Sequence, residues 1–95
     1  MAMKEDYEFE WDSEKAKTNS HKHGISFPEA ETIWDDPQAL EVHLVSDPED
    51  RWAIIGRTAK DCYLTAIFTW RDSRIRIISA RKSTKKEIDS YEKYQ

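Results

Sequence analysis

Two consecutive runs decide the fold: Cys62-Tyr63-Leu64-Thr65-Ala66-Ile67-Phe68-Thr69-Trp70 and, after Arg71-Asp72-Ser73, Arg74-Ile75-Arg76-Ile77-Ile78-Ser79-Ala80-Arg81. The first run is almost entirely apolar or Thr, the composition of a central strand covered on both faces. The second alternates. A period of two puts Ile75, Ile77, Ser79 and Arg81 on one face and Arg74, Arg76, Ile78 and Ala80 on the other. The short polar turn between them requires antiparallel pairing.

Working upstream, Arg51 to Thr58 reads as a third strand, with Trp52 and Ile54 on one face and Ala53, Ile55 and Arg57 on the other; Ala59-Lys60-Asp61 turns the chain into Cys62. Leu40, Val42 and Leu44 alternate with Glu41 and His43, and Asp47-Pro48-Glu49-Asp50 is a turn. Near the start, Tyr7, Phe9 and Trp11 alternate with Glu8 and Glu10, which makes a short first strand.

Between these strands the signals are helical. Asp12 is placed to cap a helix from Ser13 to His23, and Gly24 suits its left-handed end. The apolar stripe of this helix holds only Ala16, accompanied by Asn19, Ser20 and His23. Such a helix lies at an edge or presents polar groups to something. Ser26 with Glu29 forms a capping box for a second helix, with Phe27, Ala30, Ile33 and Trp34 on one stripe and Asp35-Asp36-Pro37 as its stop. Thr84 with Glu87 forms another box, opening a terminal helix that carries Ile88 and Tyr91. The order is β-α-α-β-β-β-β-α. This predicts one α+β domain over residues 1–95, a small antiparallel sheet with helices segregated to one face.

Composition narrows the function. A single cysteine, Cys62, excludes an internal disulfide framework and reads as a small buried strand residue. No apolar run is long enough to cross a bilayer, and the acidic N-terminal stretch lacks a signal-peptide core, so a cytoplasmic location is expected. Net charge is −4, yet its distribution is uneven: residues 1–50 carry 4 Lys/Arg against 14 Asp/Glu, and residues 51–95 carry 11 against 5. The second half therefore offers a surface for a polyanion, unless the two halves neutralise each other in the fold.

Two groups of residues suit chemistry. Arg71, Arg74, Arg76, Arg81, Lys82, Lys85 and Lys86 crowd the end of the sheet, opposed within that run only by Asp72. The planar guanidinium fork grips phosphate with paired hydrogen bonds; the competing reading is a solvated edge with scattered ion pairs. The second group is Lys22-His23 at the end of the first helix. Histidine titrates near neutrality and serves as acid or base, although a cation there also simply favours the helix C-terminus. His21 and His23 do not share a helical face, and no further ligand stands at metal spacing, so neither metal nor cofactor is expected. Ser79 lacks a paired base and reads as a strand hydroxyl. Trp34, Trp52 and Trp70 read as core residues.

Phe9-Glu10-Trp11-Asp12, Lys15, Asn19, Lys22-His23-Gly24-Ile25, Phe27 and Glu29-Ala30 together resemble the N-terminal signature of the BrnT toxins. Asp35, Pro37, Arg51 and Gly56 fit the middle of that pattern; Arg76-Ile77-Ile78-Ser79-Ala80-Arg81 with Glu87 and Tyr91 fits its end. The resemblance implies a RelE-like fold and a metal-independent endoribonuclease that cleaves RNA and slows translation. It also implies neutralisation by a BrnA antitoxin whose ribbon-helix-helix part binds DNA, so that DNA is met only through the antitoxin. On that basis His23, Lys22, Arg57, Arg76 and Arg81 are the catalytic candidates, with Arg57 expected on the strand next to the last one. Arg74, Lys82 and Lys85 are candidates for binding substrate. Arg76 and Arg81 are an odd number of residues apart, so an ideal strand would send them to opposite faces. Two competing readings are a catalytically silent member that acts through antitoxin binding and operon regulation, and a generic interaction domain.

Overall fold

The computed structural model describes residues 7–94. Strand β1 (Glu8–Glu10) leads into helix α1 (Ser13–His23) and helix α2 (Phe27–Glu31), which tightens into a 3-10 turn over Thr32–Asp35. Strands β2 (Leu40–Val45), β3 (Arg51–Arg57), β4 (Tyr63–Arg71) and β5 (Arg74–Lys82) follow, then helix α3 (Lys85–Lys93). The expected element order and α+β class are both observed. The α1 and α3 caps form as read: Asp12 accepts from the Glu14 and Lys15 amides, Gly24 closes α1 at φ 71°, and the Thr84–Glu87 box is reciprocal. The expected box at α2 is one-sided: the Ser26 hydroxyl accepts from the Glu29 amide at 3.2 Å, and the Glu29 side chain makes no return bond to the cap.

The sheet order is β1-β5-β4-β3-β2. Strands β2 to β5 form the antiparallel meander, but β1 pairs parallel to β5, with Glu8, Phe9 and Glu10 opposite Arg74, Ile75 and Arg76. A turn cannot make that pairing, and α1 with the rest of the chain supplies the crossover. One face of the sheet packs Phe68, Leu64, Ala66, Ile54, Ile75 and Ile77 against Phe27, Ala30, Ile33 and Trp34. Rings meet edge to face across this layer: Phe9 on Trp34 at 5.1 Å and Trp34 on Phe68 at 5.2 Å. Gly56 permits the 3-10 turn to approach β3, because a Cβ there would stand 3.0 Å from that of Ile33.

Several expectations need correction. Helix α3 does not join the other helices. It packs on the opposite face, where Tyr91 meets the Tyr63 ring at 5.5 Å and Glu87 accepts from the Thr65 hydroxyl at 3.0 Å. Cys62 is exposed in the turn before β4, and Trp70 is 42% exposed at the far end of that strand. Strand β4 outruns its helical cover there, so its last two residues lose the burial that its centre has. The alternation of β2 does not bury one of its faces: every residue from Glu41 to Val45 is exposed.

The most consequential difference lies in β5. Ile67 pairs with Ser79 and Phe68 with Ile77, so Ile78 is an extra residue, a β-bulge. The bulge reverses the alternation beyond it. Arg76 lies opposite Thr69, Ser79 opposite Ile67 and Arg81 opposite Thr65. Thr69, Ile67 and Thr65 share one face of β4, so Arg76, Ser79 and Arg81 share the corresponding face of β5. The two arginines that an ideal strand would separate stand in one row, with Ser79 between them.

Candidate functional site

Asn19 explains the poor apolar stripe of α1. Strand β1 covers β5 only as far as Arg76, leaving the backbone of the next residues exposed at an edge. The buried Asn19 carboxamide takes over there. Its Oδ1 accepts from the Ala80 N–H at 3.0 Å, and its Nδ2 donates to the Ala80 carbonyl at 2.8 Å and to the Ile25 carbonyl at 3.1 Å. A side-chain amide thus does what a neighbouring strand would do, satisfying both backbone groups of one residue. It fastens α1 along β5 immediately beside the bulge.

That attachment creates a shallow groove of about 250 Å³ between α1 and β5, lined by Lys15, Thr18, Lys22, His23, Ile78 and Ser79 beside Asn19. His23 is half-buried and Lys22 exposed. Among the described residues, Lys15, Lys22 and His23 form no salt bridge. Arg76 lies near the other, N-terminal end of α1, which Asp12 caps. Asp12 is held below the usual carboxylate range, first by the Lys15 N–H, and the charges of Lys15 and Arg76 add to that effect. Two sequence-derived candidates, Lys22 and His23, therefore line one groove, and Arg76 stands near the far end of the helix that forms its wall.

The arginines of β5 are all paired with carboxylates. Arg81 makes a two-pronged bond to Glu87, both contacts 2.8 Å, and this holds α3 against the sheet. Glu87 also accepts from the Thr84 amide and the Thr65 hydroxyl, and the Arg81 fork foremost pulls its pKa down to about 2. Arg76 bonds Glu10 at 2.9 Å, and Arg74 bonds Glu8 at 3.2 Å. Lys85 pairs with Asp89 along α3 at 3.3 Å, and Lys82 is exposed at the end of β5.

Arg57 is not on the strand next to β5, because β4 lies between. Its guanidinium bonds Asp61 and sits over the Tyr63 ring at 5.6 Å. It lines a different, open groove of about 570 Å³ with Asp36, Asp61 and Tyr91. There the Tyr91 hydroxyl donates to Asp36 at 2.6 Å; burial first, then that bond, pushes its pKa up to about 12. Tyr91 is thus a packing residue that ties α3 to the segment before β2. Among the described residues no cluster of three His, Cys, Asp or Glu is arranged to hold a metal ion, and no helix is long and apolar enough to cross a membrane.

Sequence reasoning passed over three features of this groove. Asn19 stood out as an oddity on its helix and as part of the family signature, but without its bonding role, and nothing in the local pattern marked Ile78 as a bulge. Ser79, set aside as a strand hydroxyl, lines the groove.

Comparison with known proteins adds to this geometry. No curated protein matches the chain. Among solved structures, the crystal structure of the Brucella abortus ribonuclease toxin BrnT superposes with a TM-score of 0.68 at 26% identity, covering 83% of this chain and 99% of that one. A family model described as the ribonuclease toxin BrnT of type II toxin–antitoxin systems matches residues 11–87, a span that includes α1, the bulged β5 and Glu87. The chain therefore belongs to the BrnT family of ribonuclease toxins.

Proposed function

We propose that this protein is a metal-independent endoribonuclease of the cytoplasm that cleaves RNA in the groove between α1 and β5, slows translation, and is neutralised by a BrnA-type antitoxin with a ribbon-helix-helix DNA-binding part. RNA brings its own nucleophile. The 2′-OH loses its proton to a base and its oxygen attacks phosphorus. The P–O5′ bond breaks, and the departing oxygen takes a proton, leaving a 2′,3′-cyclic phosphate and a 5′-OH. His23 exchanges protons in this scheme. Lys22 stabilises the charge that builds on the phosphoryl oxygens, Lys15 about two helical turns away extends the cationic wall of the groove, and the Ser79 hydroxyl donates to one of those oxygens. Arg76 contributes its remaining N–H groups. Arg81 joins only by exchanging Glu87 for phosphate, two anions that suit the same fork. Arg74, Lys82 and Lys85 extend the basic path for flanking phosphates, and Arg57 is left outside it.

The observation that carries this reading is the bulge at Ile78, which aligns Arg76, Ser79 and Arg81 on one face beside a groove that holds Lys22 and His23. A second reading, the catalytically silent partner of an antitoxin, is favoured by one fact: Arg57, Arg74, Arg76 and Arg81 are all already paired with carboxylates. Incubating purified protein with RNA in excess chelator separates the two. Cleavage to cyclic-phosphate ends supports the nuclease, and intact RNA from well-folded protein supports the silent module.

A further inference from the structure

The edge of the sheet farthest from the groove is built as an open docking strand. Strand β2 ends the sheet, and among the described residues nothing pairs with its outer side. Natural proteins usually blunt such an edge with Lys, Pro or a covering segment. Here there is no Lys, Arg or Pro between Leu40 and Val45. A register shift near Leu44 is the one irregularity. Val42, Leu44 and Val45 are 41%, 47% and 46% exposed, half of the large exposed hydrophobic residues described.

The charge around this strand selects its partner. From His23 to Asp50 the chain carries eight acidic residues and no Lys or Arg. Glu41, Asp47 and Asp50 are exposed on β2 and the loop that follows it. An RNA phosphate backbone would be repelled. A second copy of this chain would set the same acidic segment against itself, and like charges across paired strands are unfavourable. A basic polypeptide segment in extended conformation satisfies all three features. Its backbone completes the ladder, its alternate apolar side chains cover the valines, and its cations meet the acidic rim.

We infer that β2 is the antitoxin's docking edge, filled by a basic, strand-forming segment that becomes the sixth strand of the sheet; this rests on the reading that an antitoxin partners the chain. Three strand spacings of about 4.8 Å put β2 roughly 14 Å from β5. The docked strand alone leaves the α1–β5 groove open, so binding and inhibition are separable properties.

The test measures binding of a purified BrnA-type antitoxin to the wild type and to a Val42→Lys/Val45→Lys variant. Hydrogen exchange of the Leu40–Val45 amides is followed in the wild-type complex. The expected result is at least a 100-fold loss of affinity in the variant, RNA cleavage unchanged, and slowed exchange along β2 on binding. Tight wild-type binding with β2 exchange unaltered overturns the docking edge but leaves the antitoxin assignment standing. Failure of the wild type to bind overturns the assignment and the inference with it. If the variant does not fold, the exchange measurement on wild type decides.

Discussion

The two edges of this sheet are finished in opposite ways. At the β5 edge, β1 covers three residues and the Asn19 carboxamide closes the next exposed backbone. The surrounding side chains are Lys15, Lys22 and His23. At the β2 edge nothing described closes the ladder, and the side chains are valine, leucine and acids. The first edge is rigid and cationic, suited to placing groups around a phosphate. The second is open and anionic, suited to accepting another polypeptide. A chain with net charge −4 can thus serve as a nuclease, because its charges are sorted between edges rather than averaged.

Substitutions at the two edges should therefore differ in kind. The largest effect on stability belongs to Asn19→Ala. It strands the buried Ala80 N–H and carbonyl and frees α1, at a cost of roughly 2–4 kcal/mol for the unsatisfied groups. Chemical denaturation reads the loss directly, and RNA cleavage should fall further than the folded fraction does.

Next comes the Arg81–Glu87 lock. Glu87 has a folded pKa of about 2 against an unfolded 4.5, so its contribution is present above pH 4.5 and is lost as pH falls toward 2. The shift corresponds to at most about 3 kcal/mol. Glu87→Gln should therefore lower stability at pH 7 and flatten the acid limb of a stability–pH curve. An unchanged acid limb would mean that the pair contributes little.

The smallest effect is expected at the open edge. Val42→Lys/Val45→Lys should change the unfolding free energy by no more than about 0.5 kcal/mol, as for exposed positions away from packing. A large destabilisation there would show that β2 is structurally committed rather than waiting for a partner.

Much of this was legible in the chain. The Asp12 and Thr84 caps, the Gly24 stop and the apolar centre of β4 each act locally, so pattern and capping chemistry revealed them. The parallel pairing of β1 was not legible, because it joins residues that lie sixty-six apart in the chain. Nor was the bulge, which is decided by how β4 and β5 register against one another. Strict alternation therefore sent Arg81 and Arg76 to opposite faces, and the structure aligns them. The ion pairs were equally hidden. Glu10 reaches Arg76 only after β1 docks. Arg57, in contrast, is parted from β5 by β4, as the short turns between these strands already implied. His23 and Lys22 end a helix whose length and stop signal were readable, and the structure sets that end beside Ile78 and Ser79 of the last strand.

Single-turnover RNA cleavage in the presence of chelator, comparing wild type with His23→Ala and Arg57→Ala, tests the assignment of the groove most directly. Loss of a proton-transfer group at the reacting centre slows such a step by about 10²–10⁴-fold. His23→Ala should show that loss with its fold intact, and Arg57→Ala should cleave within about threefold of wild type. Full activity in His23→Ala, or its loss in a folded Arg57→Ala, would move the chemistry to the groove lined by Asp36 and Tyr91.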